Sequence, residues 1–422
     1  MSAPKPQMNT RINFSDEQAM LLDSASAFCR ARSPSATVRG LIGSPHDDSI
    51  GFDRGLWAEI AQLGWLGIAV PESLGGSGLG IGHTAVIAEP MGRHLLATPF
   101  TSTQLCIQGL LAGGSAAQQA EWLPRLAQGG IGTVALFEDD GDWALTQPRC
   151  RAEIAGTSVA SGTSGTSGTS GTSGTSGTSG TIGTYATLHG DKTLVTDAAV
   201  ADVLLASVML DGAPALALLV AADLPPGHLQ REVIIDETRR SSRFELNGLQ
   251  VPASRLITGA PALAALQAVR NAALLLASAE AAGGIAGALA VVVDYLNTRT
   301  AFGRKIGSYQ SLKHTCADIL VGLERARSHV AHAATLLTDM AEPGAAAAAE
   351  LALRMAKVEA GDSYVLAGDR AVQFHGGFGF TYDCDAQLYL RRALWLQPWF
   401  GDAAHHRRKL ADALWPLGGA AG

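Results

Sequence analysis

With 422 residues, 47% of them apolar and 16% charged, the chain has the length for two or three domains and the composition for large buried cores, which excludes wholesale disorder. A formal net charge of −7 argues against nucleic acid as the main partner. Cys29, Cys106, Cys150, Cys316 and Cys384 are odd in number, scattered and free of CxxC spacing, so they read as reduced thiols of a cytoplasmic protein, not as a disulfide framework or a zinc site. No apolar run is expected to reach the length of a membrane span, and the first residues carry no apolar stretch of signal-peptide type.

The first region, residues 1–130, reads as all-helical. Ser15-Asp16-Glu17-Gln18 offers a cap with acids in the first turn, and Met20, Leu21, Leu22, Ala25 and Phe28 follow at helical spacing. "GLWAEIAQLGWLGIAV" and "HTAVIAEPMGRHLL" repeat that pattern. Between them, "PESLGGSGLGIG" lacks the lysine and serine of a P-loop and reads as a connector.

Residues 131–258 change character. "LVTDA", "VLLASVML", "ALALLVAA" and "REVIID" are short β-type runs, and "RFELNGLQV" places apolar residues on both sides of Asn247-Gly248. Short strands with tight turns predict a small β-barrel or sandwich. Within it, Ser161 to Thr181 is one Ser-Gly-Thr triplet repeated. Such a tract has no apolar residue to bury and reads as a flexible expansion of a hairpin loop.

Residues 259–422 return to helix. The alanine- and leucine-rich run from Pro261 to Arg299 predicts a deeply buried helix, broken or closely packed at Gly283-Gly284. A second helix is expected from near Ser308 and a third from about Ala345 to Phe374. Three glycines in four residues follow, Gly376, Gly377 and Gly379, with Asp383 and Asp385 behind them. Bare backbone of this kind serves a turn with positive φ or the close approach of another group. The fold class is α+β multidomain: a helical domain, a β-barrel or sandwich domain, and a helical domain of four-helix-bundle type.

Two motifs in this last region carry a resemblance. "RTAFGRKIGSYQSLKH", Arg299 to His314, and "QFHGG", Gln373 to Gly377, resemble the acyl-CoA dehydrogenase family. "LGWLGIAVPESLGGSGLG", "HGDKTLVTDAAVADVLLASV" and "LNGLQVPASRLI" are similar to its other domains, so the resemblance spans nearly the whole chain. It implies FAD lying between the β-domain and the C-terminal bundle, with a neighbouring subunit gripping its pyrophosphate and adenosine. By that resemblance Arg299 pairs with a phosphate, Phe302 offers its ring, Gln310 and Gln373 bond polar edges, and Gly376 and Gly377 let the backbone approach. Thr196 stands where the family sets a threonine against the flavin ring. The implied activity is α,β-desaturation of an acyl-CoA thioester, with electrons passed to an electron-transfer flavoprotein. The implied assembly is a tetramer, homomeric or two-plus-two with a related subunit.

The departures fall on the chemistry. The glutamate base of the family has two usual places, which here hold Phe400, in "FGD", and Ala273. The flavin-contacting stretch is "FEDDGDW", Phe137 to Trp143, and the family's tryptophan before the threonine is Leu194. The ending is similar to a bacterial branch with Phe-Thr-Trp-Glu at this place, and Asp383 stands at that glutamate, which makes it the in-chain candidate for the base. Glu280 reads as a packing or hydrogen-bonding residue, and His375, His405 and His406 as ordinary surface or loop residues. Arg239 and Arg240 are candidates for CoA phosphates, with a plain charged hairpin as the other reading. The losses also support a different reading, a non-catalytic subunit that completes the FAD site of a partner supplying the base.

Overall fold

The computed structural model describes residues 15–42, 50–154, 184–338 and 344–415. The Ser-Gly-Thr tract, read above as a flexible hairpin expansion, lies outside them. The N-terminal region contains α1 (Asp16–Arg32), α2 (Ser35–Gly40), α3 (Arg54–Gln62), α4 (Ile81–Arg93), α5 (Phe100–Gly113) and α6 (Ala116–Ala127). The start of α1 is fixed by a capping box in which the Ser15 hydroxyl accepts from the Gln18 N–H while the Gln18 side chain accepts from the Ser15 N–H. Of its predicted stripe, Ala25 is buried and Phe28 packs edge-on to Trp65 at 5.1 Å, whereas Met20 is exposed. The glycine-rich connector is shaped by packing: a Cβ on Gly76 would fall 2.1 Å from the carbonyl oxygen of Val70.

The middle region folds into two sheets. β1 (Gly132–Ala135), β2 (Arg151–Ile154) and β3 (Tyr185–His189) join β5 (Val203–Leu210), β6 (Ala213–Val220), β9 (Gln250–Pro252) and β10 (Leu256–Ile257) in a seven-stranded sheet. β4 (Asp191–Thr196), β7 (Leu229–Glu232) and β8 (Ser241–Glu245) form a three-stranded sheet. The Asn247-Gly248 turn does not close a hairpin. β8 pairs with β4 and β7 while β9 pairs with β3, so the turn hands the chain from one sheet to the other. Gly248, at φ 79°, supplies the left-handed residue this corner needs. In "REVIID" the strand stops at Glu232 and Val233 is exposed.

The C-terminal region holds α7 (Ala260–Thr298), the hairpin strands β11 (Thr300–Ala301) and β12 (Arg304–Lys305), then α8 (Gln310–Thr338), α9 (Ala345–His375), α10 (Ala386–Leu396) and α11 (Ala403–Leu414). α7 runs unbroken through Gly283-Gly284, and the two glycines serve contact. A Cβ on Gly283 would fall 1.8 Å from the carbonyl oxygen of Glu89 on α4, and one on Gly284 would fall 2.1 Å from the Tyr364 ring on α9. Gly92 repays the approach from α4, where a Cβ would fall 2.0 Å from the Glu280 carbonyl oxygen. α7 is thus the shared spine of both helical regions, and one apolar core runs from Leu105 and Leu110 through Leu274, Leu275 and Leu276 to Leu353 and Ala360. Contrary to the sequence expectation, this helix is long and apolar enough to cross a membrane, but 78% of its most apolar window is buried within the protein, as a core helix requires.

Because the α4–α7 contact is backbone against backbone, no rotamer change can relieve an added methyl group at Gly283. Gly283→Ala is expected to cost about 1–3 kcal/mol or more, read as a lower urea midpoint; a change within about 0.5 kcal/mol, the range of an unconstrained surface site, contradicts this packing.

Candidate functional site

One set of predicted residues gathers at the end of the bundle. Arg299 caps α7, its N–H donating to the Tyr295 carbonyl at 2.8 Å. The hairpin then turns through Phe302 and Gly303, both with positive φ (53° and 77°), the conformation of a two-residue type I′ turn. Phenylalanine rarely adopts it, and the turn projects a ring that is 93% exposed. Gln310 opens α8 on the surface. The end of α9 lies alongside, because His375 stacks on Tyr295 with ring centroids 4.1 Å apart. Gln373, Gly376 and Gly377 are therefore exposed beside the same hairpin.

The three clustered glycines have different reasons. Gly379 is required by packing, since a Cβ would fall 2.2 Å from the Val372 carbonyl oxygen. Gly376 is required by its φ of 63°. Gly377 has neither constraint: its φ is ordinary and a Cβ there would meet no atom of the chain within 4 Å.

A second set lies inside, between the β-domain and the bundle. Thr196 ends β4 and borders a cavity of only about 10 Å³ with Ser102, Asp197, Arg239, Glu280 and Trp399. Next to it a cavity of about 220 Å³ is walled by Phe137, Trp143, Leu194, Trp395, Trp399 and Phe400. Phe400, at the usual place of the base, packs edge-on to Phe137 at 4.9 Å and to Trp399 at 4.9 Å. Ala273, the other place, is fully buried in α7. The aromatic segment is held from below by Lys357, whose buried ammonium donates to the Leu396 and Gln397 carbonyls at 2.8 Å each, and burial pushes its pKa down to about 7.

Beneath the small cavity is a buried ionic cluster. Arg392, with no exposed surface, donates to the Asp236 and Glu280 carboxylates and to the Thr238 hydroxyl, and Arg239 donates to the same Glu280 oxygen. Burial alone would raise Glu280, but the two guanidiniums outweigh it and hold this carboxyl below its ordinary range, which makes it a poor base. Glu138, within "FEDDGDW", is likewise held down by Lys192 at 2.6 Å and by the N–H groups of Arg149 and Cys150. Asp197 differs: it accepts from the Ser102 hydroxyl at 2.6 Å, and burial pushes its pKa up to about 6.

Several expectations are corrected by position. Asp383 lies exposed on the turn before α10, without the desolvated surroundings that a base for this chemistry needs. That turn is strapped to the N-terminal region by its neighbour Asp385, which accepts from Ser35 at 2.6 Å and Arg39 at 3.0 Å. Arg239 and Arg240, candidates for CoA phosphates, are engaged within the chain, the first with Glu280 and the second with the Glu237 and Leu41 carbonyls at 2.8 Å each. His375 and His406 are buried, not on the surface. The Arg354 guanidinium lies 3.1 Å from His406 Nδ1, and burial together with Lys357 and Arg354 pushes this imidazole down to about 3. The Arg392 cluster was not anticipated from the sequence; "YLRRA" beside a glutamate in the middle of an apolar helix is the signal that could have found it.

Two stability consequences follow from the charges. Arg392→Leu leaves Asp236 and Glu280 buried without their shared cation and is expected to cost about 3–5 kcal/mol by chemical denaturation; adding Asp236→Asn and Glu280→Gln should recover part of it, and no recovery would overturn the charge explanation. For Asp197, the folded state binds the proton more tightly than the unfolded state (about 6 against 3.8), so its contribution is most favourable below about pH 4 and declines as pH rises to about 6. Asp197→Asn, which suits the φ of 57° equally well, should flatten that decline and gain up to about 3 kcal/mol at pH 7; an unchanged slope of stability between pH 4 and 6 would contradict it.

Comparison with known proteins sets these residues in context. The model for the acyl-CoA dehydrogenase N-terminal domain matches residues 15–130, and that for the acyl-CoA dehydrogenase C-terminal domain matches residues 263–415. The chain is 27% identical over 380 residues to the acyl-CoA dehydrogenase IpdE2 of Mycobacterium tuberculosis, covering 90% of this chain and 91% of the relative. It is 28% identical over 339 residues to FadE12 of the same organism, covering 77% and 79%. Among solved structures it is similar to the Tcur3481-Tcur3483 steroid ACAD (25% identity, TM-score 0.76, covering 96% and 99%) and to the ChsE4-ChsE5 complex of M. tuberculosis (24%, 0.79, covering 97% and 100%). With the helical, β and helical regions in the same order over almost the full length, the chain belongs to the acyl-CoA dehydrogenase family.

Proposed function

We propose that the chain works as the FAD-completing subunit of a hetero-oligomeric acyl-CoA dehydrogenase, lending Arg299, Phe302, Gln310, Gln373 and the Gly376-Gly377 backbone to the cofactor of a related partner. The observation that carries this reading is Gly377, a glycine that its own chain does not require, beside an almost fully exposed Phe302. The approach of a group from outside the chain would account for both. Arg299 lies nineteen residues beyond Glu280, about 28 Å along α7 at the rise of a helix, so these groups cannot serve the slot of their own chain. A planar guanidinium at the end of the hairpin suits a pyrophosphate, and an exposed ring and amides suit its nucleoside.

The partner would supply the base and the acyl slot, desaturate an acyl-CoA at its α,β bond, and pass electrons to an electron-transfer flavoprotein. In-chain catalysis has less support, because the two places for the base hold Phe400 and Ala273 and Asp383 is exposed. The Tcur3481-Tcur3483 protein, similar over almost the full length, is named for two chains; a two-plus-two tetramer in the cytoplasm, acting in lipid metabolism, is the corresponding proposal here.

Co-expression with a related chain from an adjacent gene tests this. Turnover of acyl-CoA is expected from the mixture and not from the chain alone; turnover by the isolated chain overturns the reading. Gly377→Ala should leave the unfolding midpoint of the isolated chain unchanged or slightly raised, yet weaken FAD retention by the assembly. Arg299→Ala should weaken it roughly 10- to 100-fold, the loss of charge-assisted bonds to a phosphate. Unchanged FAD affinity in both variants would remove the basis for a shared site.

A further inference from the structure

We infer that the chain's own slot does not take FAD, so that an assembly with its partner carries one FAD for every two chains; the inference rests on the completing role proposed above. The slot fails on space and donor set at once. A flavin ring set against Thr196 would need room where only about 10 Å³ is free, about one water molecule's worth. Two of its wall residues, Arg239 and Glu280, cannot yield by a side-chain rotation, because they are locked with Arg392 behind them in the buried ionic cluster and separating them strands charges out of water.

The larger cavity beside it is no substitute. Its walls are the rings of Phe137, Trp143, Trp395, Trp399 and Phe400 with Leu194, which can stack on a ring but give the polar edge of a flavin few hydrogen-bond partners. Glu138, the carboxylate on its border, is an acceptor already consumed by Lys192 and two backbone N–H groups. The stretch that follows adds Asp139, Asp140 and Asp142. Asp139 is ion-paired with Arg243 and Asp140 with Arg149, and these carboxylates are acceptors that add no donor for the polar edge of a flavin. The two halves of the molecule have opposite character: an exposed face equipped to hold a cofactor, and an interior with almost no room beside Thr196 and a cavity walled mainly by rings.

The experiment is a flavin count. The isolated chain, incubated with excess FAD and passed through a desalting column, should retain no flavin absorbance and show no thermal shift with FAD; one FAD per chain overturns the inference. The co-expressed assembly should hold one FAD per pair, and Arg299→Ala in this chain should strip it. Two FAD per pair, with one lost on Arg299→Ala, overturns the inference while the completing role stands. One FAD per pair that Arg299→Ala does not disturb overturns the completing role while the flavin count stands.

Discussion

A single guanidinium organises the centre of this molecule. Arg392 comes from α10, its two carboxylates from the β-domain loop and from α7, and none of the three has any appreciable contact with water. Charges buried in this way stay in place because separating them costs far more than their attraction gains. The cluster therefore fixes how the β-domain sits on the bundle, and Glu280, with Arg239 bonded to it, borders the space beside Thr196. A network that in another chain would be a matter of stability here also decides what the interior can admit.

Close backbone contact has the same double effect at α7. Gly92, Gly283 and Gly284 bring α4 and α9 against it, so that two helical regions read as separate in sequence share one core. This rigid spine then carries the hairpin to the end of the bundle, where Tyr295 and His375 hold it against the glycine turn. Arg299 and Phe302 owe their position to a stack of alanine and leucine contacts that never touch them.

The long helices were legible because long runs of helix formers leave little else to form: α7 and α9 begin and end close to where their patterns do, and α8 begins two residues past the expected Ser308. Strands β1, β2 and β3 were not singled out, since four- or five-residue segments such as "GTVA" and "RAEI" carry too little periodicity to separate from loop. The outer residues could be grouped from the sequence because their motifs are local. The inner ones could not: Asp236, Glu280 and Arg392 are far apart in the chain and meet only through tertiary packing. Asp383 misled for a related reason, because matching a motif fixes a position along the chain and says nothing about whether the carboxylate faces a slot or the solvent.

The unbroken length of α7 has a consequence for symmetry. If the hairpin of this chain reaches across a two-fold interface, the matching hairpin of a related partner reaches back by the same operation, since an isologous contact is reciprocal. The partner's hairpin then ends at an interior with almost no room beside Thr196. Its arginine and ring positions would have no cofactor to hold and could drift to other residues, while those in this chain could not. In such a pair, the subunit that has lost its own slot is the one whose surface motif must stay intact.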